Sequence, residues 1–328
     1  MKAKANTERA LCAAVAAVWI AGGLGAAQGP PPGKADLVGA WTLAAEDRRD
    51  EADTVIATTA APRGLLVYDA AGHVMMVATR GGRPANRAAQ ATPEEALATF
   101  NSVAGFFGTY EVVAGESASR IVHRVQGGLN PNRMGADETV TFTMAGDRMT
   151  TTWPSSGGMR IRRTWERAPA LESMSAADRR LVGFWEWTSE KRATSAGALI
   201  SENHRDKSMI VYTPSGHVAV HFLPPPRRRF AEERPTADEA RAAMAGYVCY
   251  EGIFTTFPER GFVHHYLLAS LQPAAAGDRF RRFFEIVGDE LSLRLPEAVV
   301  NGQATRTTVT LRKISGEAQM LPTRTARP

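Results

Sequence analysis

The chain has 328 residues, 44% of them hydrophobic and 22% charged, which excludes a disordered polymer and is more than one small core can use. Its formal charge is only +5 and its cations are spread along the sequence, so composition makes no case for nucleic acid.

The N-terminus carries Lys2, Lys4 and Arg9, then an apolar, Ala-rich run over residues 11–24, then Gly25-Ala26-Ala27. A basic start, an apolar middle and small residues before Gln28 are the pattern of a signal peptide over 1–27. The run is about 14 residues, short of the roughly 20 that span a bilayer. The expectation is an exported protein, periplasmic or secreted, with no membrane span after cleavage. Cys12 lies inside this run, so only Cys249 would remain and no intramolecular disulfide can form. Residues 28–36, with Pro30-Pro31-Pro32-Gly33, read as an extended leader.

From Leu37 onward the sequence is written twice. Leu37-Val38-Gly39-Ala40-Trp41 returns as Leu181-Val182-Gly183-Phe184-Trp185, a shift of 144. Leu66-Val67-Tyr68, Gly72-His73-Val74 and Thr92-Pro93-Glu94-Glu95-Ala96 return at the same shift. Leu129-Asn130-Pro131 and Gly146-Asp147-Arg148-Met149 return at 142. The order implies two domains, 37–167 and 181–314, joined by a linker over 168–180 and followed by a tail over 315–328.

Each copy reads mainly as strands. Residues 64–68 turn through Asp69-Ala70-Ala71-Gly72 into 73–79, a hairpin pattern repeated around Thr213-Pro214-Ser215-Gly216. Residues 121–125, 139–144 and 148–153 alternate, and 160–166 would close the set. One helix interrupts each copy. Thr92 is its N-cap, Pro93 suits the first turn and Glu95 completes a capping box; Thr236 and Glu239 repeat the arrangement. Many short strands separated by turns predict a closed antiparallel barrel or a sandwich, with the helix plugging or flanking one end.

Gly-x-Trp at the first strand of an all-β unit of this size resembles the lipocalin signature. The fuller pattern is similar to the bacterial and fungal lipocalin-like domain family: Leu37 to Trp41, Gly64 to Gly72, Thr92 to Glu95, Phe107-Gly108-Thr109-Tyr110, Ile121-Val122-His123 and Asn130-Pro131-Asn132. The second copy departs, with Glu251-Gly252-Ile253-Phe254 and Gln272-Pro273-Ala274. The resemblance implies an all-β fold of two tandem lipocalin-like antiparallel β-barrels, each with one inserted helix. It also implies a Trp floor crossed by a basic residue, Arg167 or Arg163 for Trp41 and Arg312 or Lys313 for Trp185. It implies a pocket but no single reaction.

A barrel of about eight strands can hold one small ligand, so inward polar residues are the candidates. Tyr68, Tyr110, His123 and Asn130 in the first copy, and Tyr212 and His264 in the second, are the expected ligand contacts. His264 is read as the counterpart of His123. If the protein is an enzyme, His123, Tyr110 and His264 are the acid–base candidates. His217 and His221 lie about 13 Å apart on a strand, too far to share an ion, so no metal is expected. Arg80, Arg83 and Arg87 precede the helix and would favour an anionic ligand if they cover the barrel mouth. The functional expectation is capture of a small hydrophobic molecule, anionic if those arginines line the site, by a monomer that needs no cofactor. The alternative is a cofactor-independent isomerase, cyclase or hydratase.

Overall fold

The computed structural model describes residues 32–84, 91–115, 119–204, 207–224 and 227–322. The signal-peptide pattern over 1–27, Arg87 and the end of the tail lie outside them. The described end of the leader is not extended: Lys34–Leu37 forms helix α1, and the Pro32 carbonyl accepts a hydrogen bond from Ser119.

The first copy contains β1 (Gly39–Arg49), β2 (Val55–Thr58), β3 (Arg63–Tyr68), β4 (His73–Thr79), α2 (Pro93–Asn101), β5 (Val103–Val113), β6 (Ser119–Gly128), β7 (Asp137–Ala145), β8 (Arg148–Pro154) and β9 (Arg160–Ala168). β1 pairs with β3 through its first residues, with β2 through its last, and with β9 along its length. Eight strands, β1 and β3 to β9, therefore close into a barrel, and β2 is an added ribbon at one rim.

The second copy repeats this plan. After α3 (Ala176–Leu181) come β10 (Gly183–Thr194), β11 (Leu199–His204), β12 (Met209–Tyr212), β13 (His217–Phe222), α4 (Ala237–Met244), β14 (Val248–Phe257), β15 (Phe262–Ser270), β16 (Arg279–Val287), β17 (Glu290–Arg294), β18 (Ala298–Val300), β19 (Gln303–Lys313) and α5 (Glu317–Met320). β10 closes on β19, while β11 and β18 are rim ribbons. The fold is two tandem eight-stranded antiparallel barrels.

The duplicated Gly-x-Trp builds the two floors. Gly39 and Gly183 enter their strands at φ of +125° and +132°, and a Cβ on Gly183 would lie 2.0 Å from the Ser315 carbonyl oxygen. Trp41 and Trp185 are fully buried. Their indole N–H groups donate to the carbonyls of Leu37 (2.8 Å) and Leu181 (2.6 Å), the last residues of α1 and α3. Arg167 lies 4.0 Å from the Trp41 ring centre and Lys313 Nζ lies 4.8 Å from that of Trp185. Of the basic residues expected at the floors, Arg163 and Arg312 are engaged elsewhere, with Glu46 and Glu186.

Each barrel has its own apolar interior, and a third apolar cluster joins the two. β3 and β4 are buried on both faces. Leu66, Tyr68 and Met76 point into barrel 1, while Leu65, Val67, Met75 and Val77 pack outward with Val211, Ala219 and Cys249 of barrel 2. α2 and α4 flank the barrels and join this shared cluster through Ala96 and Phe100, and through Ala240 and Ala243. Gly105 lets the walls approach: a Cβ there would lie 2.9 Å from the His221 ring and 3.1 Å from Cys249 Sγ. His221 sits between the walls, bonded to the Met76 carbonyl (3.0 Å) and the Tyr247 hydroxyl (2.6 Å).

Two arginines clamp the seam reciprocally. Arg83 donates to the Ser270 and Leu271 carbonyls of barrel 2. Arg227, its counterpart at a shift of 144, donates to the Gly128 and Leu129 carbonyls of barrel 1. Each residue contacts the repeat-equivalent of what the other contacts, the rule of an isologous twofold interface. Arg83, a candidate for the barrel mouth only if its loop covered it, is thus a seam residue.

Candidate functional site: the mouth and interior of barrel 1

The interior of barrel 1 is polar at one point. Tyr68 on β3 and His123 on β6 are fully buried, and the Tyr68 hydroxyl lies 2.8 Å from His123 Nε2. The imidazole stacks parallel on Trp153, with centres 5.0 Å apart and planes 3° apart, and Phe106 meets it edge-on at 5.3 Å. Its Nδ1 has no hydrogen-bond partner among the described residues. Burial, with the nearby Arg133 charge, pushes the imidazole down to about 3, so it is neutral at physiological pH.

Barrel 2 solves the same position differently. The residue that faces Phe254 across the ladder, as His123 faces Tyr110, is His265. His265 is fully buried and bonded at both nitrogens, to Tyr212 (2.9 Å at Nε2) and Tyr250 (2.8 Å at Nδ1). Tyr250 stands where barrel 1 has Phe106, so one hydroxyl separates the saturated imidazole from the unsaturated one. The expectation that His264 is the counterpart of His123 is corrected by one residue. His264 faces away from the barrel interior, among Phe257, Phe262, Tyr266 and Arg281. Strand parity is the reason, since adjacent residues point to opposite faces.

Tyr110 is buried beside Tyr68, but its hydroxyl donates to the Asp69 carbonyl (2.8 Å) and it does not line the open cavity. Asn130 does line the cavity, although its Oδ1 accepts from the Asn132 N–H and caps a short 3-10 turn, Pro131–Arg133. Tyr212 is committed to His265.

The open cavity lies at the mouth of barrel 1, opposite the Trp41 floor, with a volume of about 270 Å³. Phe100, Val103, Ile161 and Leu129 supply its apolar wall. Its charged wall is Arg80, Arg133, Arg163 and Glu46. Arg163 and Glu46 face each other across β1 and β9 as a buried pair at 2.7 Å, and Thr59 adds a 2.8 Å bond to the same carboxylate. Burial would raise the Glu46 carboxyl, but the Arg163 charge, both hydrogen bonds and the Arg80 charge outweigh it and hold the group below its ordinary value. Arg133 is paired with Glu138. Arg80 forms no ion pair among the described residues. Two of the three guanidinium groups are paired, with Glu46 and Glu138, and Arg80 leaves the cavity one positive charge in excess.

Barrel 2 lacks this arrangement. Val309 faces Glu190 where Arg163 faces Glu46. Ala275 ends the turn that Arg133 ends in barrel 1, and Pro224 stands at the position of Arg80. The sequence pointed to Arg80, offered Arg163 for the floor rather than the mouth, and missed Arg133. The available signal was Arg163 itself, a charged residue between Ile161 and Trp165 on one strand face. Among the described residues, no group of three or more His, Cys, Asp or Glu is placed to hold a metal ion, and no helix is long and apolar enough to cross a membrane.

With this geometry in view, the chain matches the lipocalin-like domain family over residues 38–168 and again over 207–314, and it belongs to that family. Among solved structures it is similar to a protein of unknown function from the DUF3598 family of Nostoc punctiforme, at 10% identity and a TM-score of 0.22, covering 86% of this chain and 98% of that one. It is also similar to a Bacteroides fragilis protein provisionally described as an outer membrane protein, at 10% identity and a TM-score of 0.21, covering 86% and 100%. No curated protein matches the chain.

Proposed function

We propose that barrel 1 captures a small amphipathic anion, with its acidic head between Arg80, Arg133 and Arg163 and its apolar part against Phe100, Val103 and Ile161. The observation that carries this reading is the mouth cavity lined by Arg80, Arg133 and Arg163, at whose equivalent positions barrel 2 has Pro224, Ala275 and Val309. Arg80 is the free cation for the ligand, while the Glu46 pair fixes Arg163 and removes its rotamer freedom. The N-terminal pattern supports an exported protein that does this outside the cytoplasm. Acid–base catalysis has weaker support. A general base works best near the ambient pH, and burial keeps His123 neutral far below that range.

The test is calorimetric titration of the whole protein with octanoate and with octanol. Octanoate should bind, octanol about tenfold more weakly or less, and Arg80→Ala should cost about tenfold for octanoate alone. Equal affinity for acid and alcohol would remove the anionic reading. Binding of neither would remove the capture reading.

A further inference from the structure

The twofold relation between the barrels generates two grooves along the seam, one from each set of equivalent residues. One, of about 520 Å³, includes Phe107, Glu186 and Lys207. The other, of about 300 Å³, includes the equivalent positions Glu251, Thr42 and Arg63, together with His217 and Leu268. Phe107 is 1% exposed and packs in the shared apolar cluster, so the fold accepts a phenyl ring at this position. Its counterpart Glu251 places a carboxyl there instead, 3% exposed, with no hydrogen bond or ion pair to any described residue. Its oxygens are not among the buried atoms left without a partner, so the carboxyl reaches the groove rather than being sealed in the core. Burial pushes the group up to about 7, against the pull of Arg63. The Arg63 guanidinium is close enough to favour the carboxylate, yet the charged atoms stay beyond ion-pair distance. His217, diagonal to Glu251 across β13 and β14, bonds Ser215 through Nδ1 (2.9 Å), and burial lowers its imidazole, which keeps it neutral.

An acid and a base thus face one small groove without touching. A simple cation there would meet Arg63 as a like charge, and a simple anion would meet Glu251. A molecule carrying both charges answers both. We propose that this groove binds a zwitterion of free amino-acid size, its ammonium on Glu251 and its carboxylate on Arg63. The site is separate from the barrel 1 mouth and stands or falls independently of it.

The test is titration of the intact protein with each of the twenty standard amino acids, to about 10 mM so that millimolar Kd values are seen. At least one should bind, more weakly at pH 5 than at pH 8, because Glu251 must be ionised. Its N-acetyl and methyl ester derivatives should each bind about tenfold more weakly, having lost one charge-assisted contact. Glu251→Phe, which installs the first copy's residue, should abolish binding, and Arg80→Ala should leave it unchanged. Should Glu251→Phe fail to fold, Glu251→Gln and Arg63→Met carry the same readout. No bound amino acid, a derivative of equal affinity, or full affinity in both substituted proteins would overturn the proposal.

Discussion

Barrel 1 and barrel 2 share a floor, a strand order and a helix, yet they spend their inward polar positions in opposite ways. Barrel 2 saturates His265 with two tyrosine hydroxyls and puts Val309, Ala275 and Pro224 where barrel 1 has guanidinium groups. Barrel 1 leaves His123 with one partner and gathers Arg80, Arg133 and Arg163 at its mouth. The barrel frame does not require the arginines, because its own second copy stands without them. What a duplicated fold keeps in both copies reports on stability, and what it keeps in one reports on use.

The comparison breaks most sharply at Arg163. Replacing it by the barrel 2 residue, Arg163→Val, strands Glu46 as a buried unpaired carboxylate. Urea unfolding should show a loss of about 3–5 kcal/mol, and adding Glu46→Ala should recover most of it. A loss below about 1 kcal/mol would mean that the pair is solvated and that the barrels differ less than their geometry implies.

Next comes Glu251→Gln, followed against pH. Folding raises the Glu251 carboxyl from its ordinary 4.5 to about 7, so the folded chain holds this proton more tightly than the unfolded chain. The stability it contributes is full below pH 4.5 and is lost as pH rises through 7. The substitution should therefore change little at pH 4 and stabilise on the order of 3 kcal/mol at pH 8, read as a rise in Tm. A pH-independent effect would place the carboxyl in water.

The smallest effects concern the two histidines. Tyr250→Phe gives His265 the unsatisfied Nδ1 of His123 and should cost about 1–3 kcal/mol. The reverse exchange, Phe106→Tyr, should return about 1 kcal/mol by supplying His123 with the missing hydroxyl. If both exchanges are neutral by thermal denaturation, the imidazole contacts do not distinguish the barrels.

Much of this architecture was legible because short-range chemistry repeats. Gly39 and Trp41 with their copies mark the floors, and Thr92 with Glu95 and Thr236 with Glu239 mark the helices. Register was harder. The spacing of equivalent residues falls from 144 at Tyr110 and Phe254 to 142 at His123 and His265, across the connection from β5 to β6 and from β14 to β15, and a slip of one residue there sends the reading from inward His265 to outward His264. The mouth was only partly legible, since Arg80 follows the end of β4, Arg133 ends a 3-10 turn and Arg163 lies within β9, three places far apart in sequence. The seam had a signal in the unbroken apolar runs around Leu65 to Tyr68 and Val74 to Ala78, which suit strands covered on both faces.

The reciprocal clamp of Arg83 and Arg227 has a consequence for how the two halves can vary. The geometry is that of a homodimer, in which one substitution appears on both sides of the axis at once. Joined in one chain, the halves meet at an effective concentration set by their tether, of millimolar order for a short linker, rather than by protein abundance. Each half can then change alone while its neighbour secures the assembly. Covalent linkage converts an obligatory symmetry into an optional one, and it allows one half alone to carry an arginine-lined mouth and one of the two seam grooves alone to carry a carboxyl.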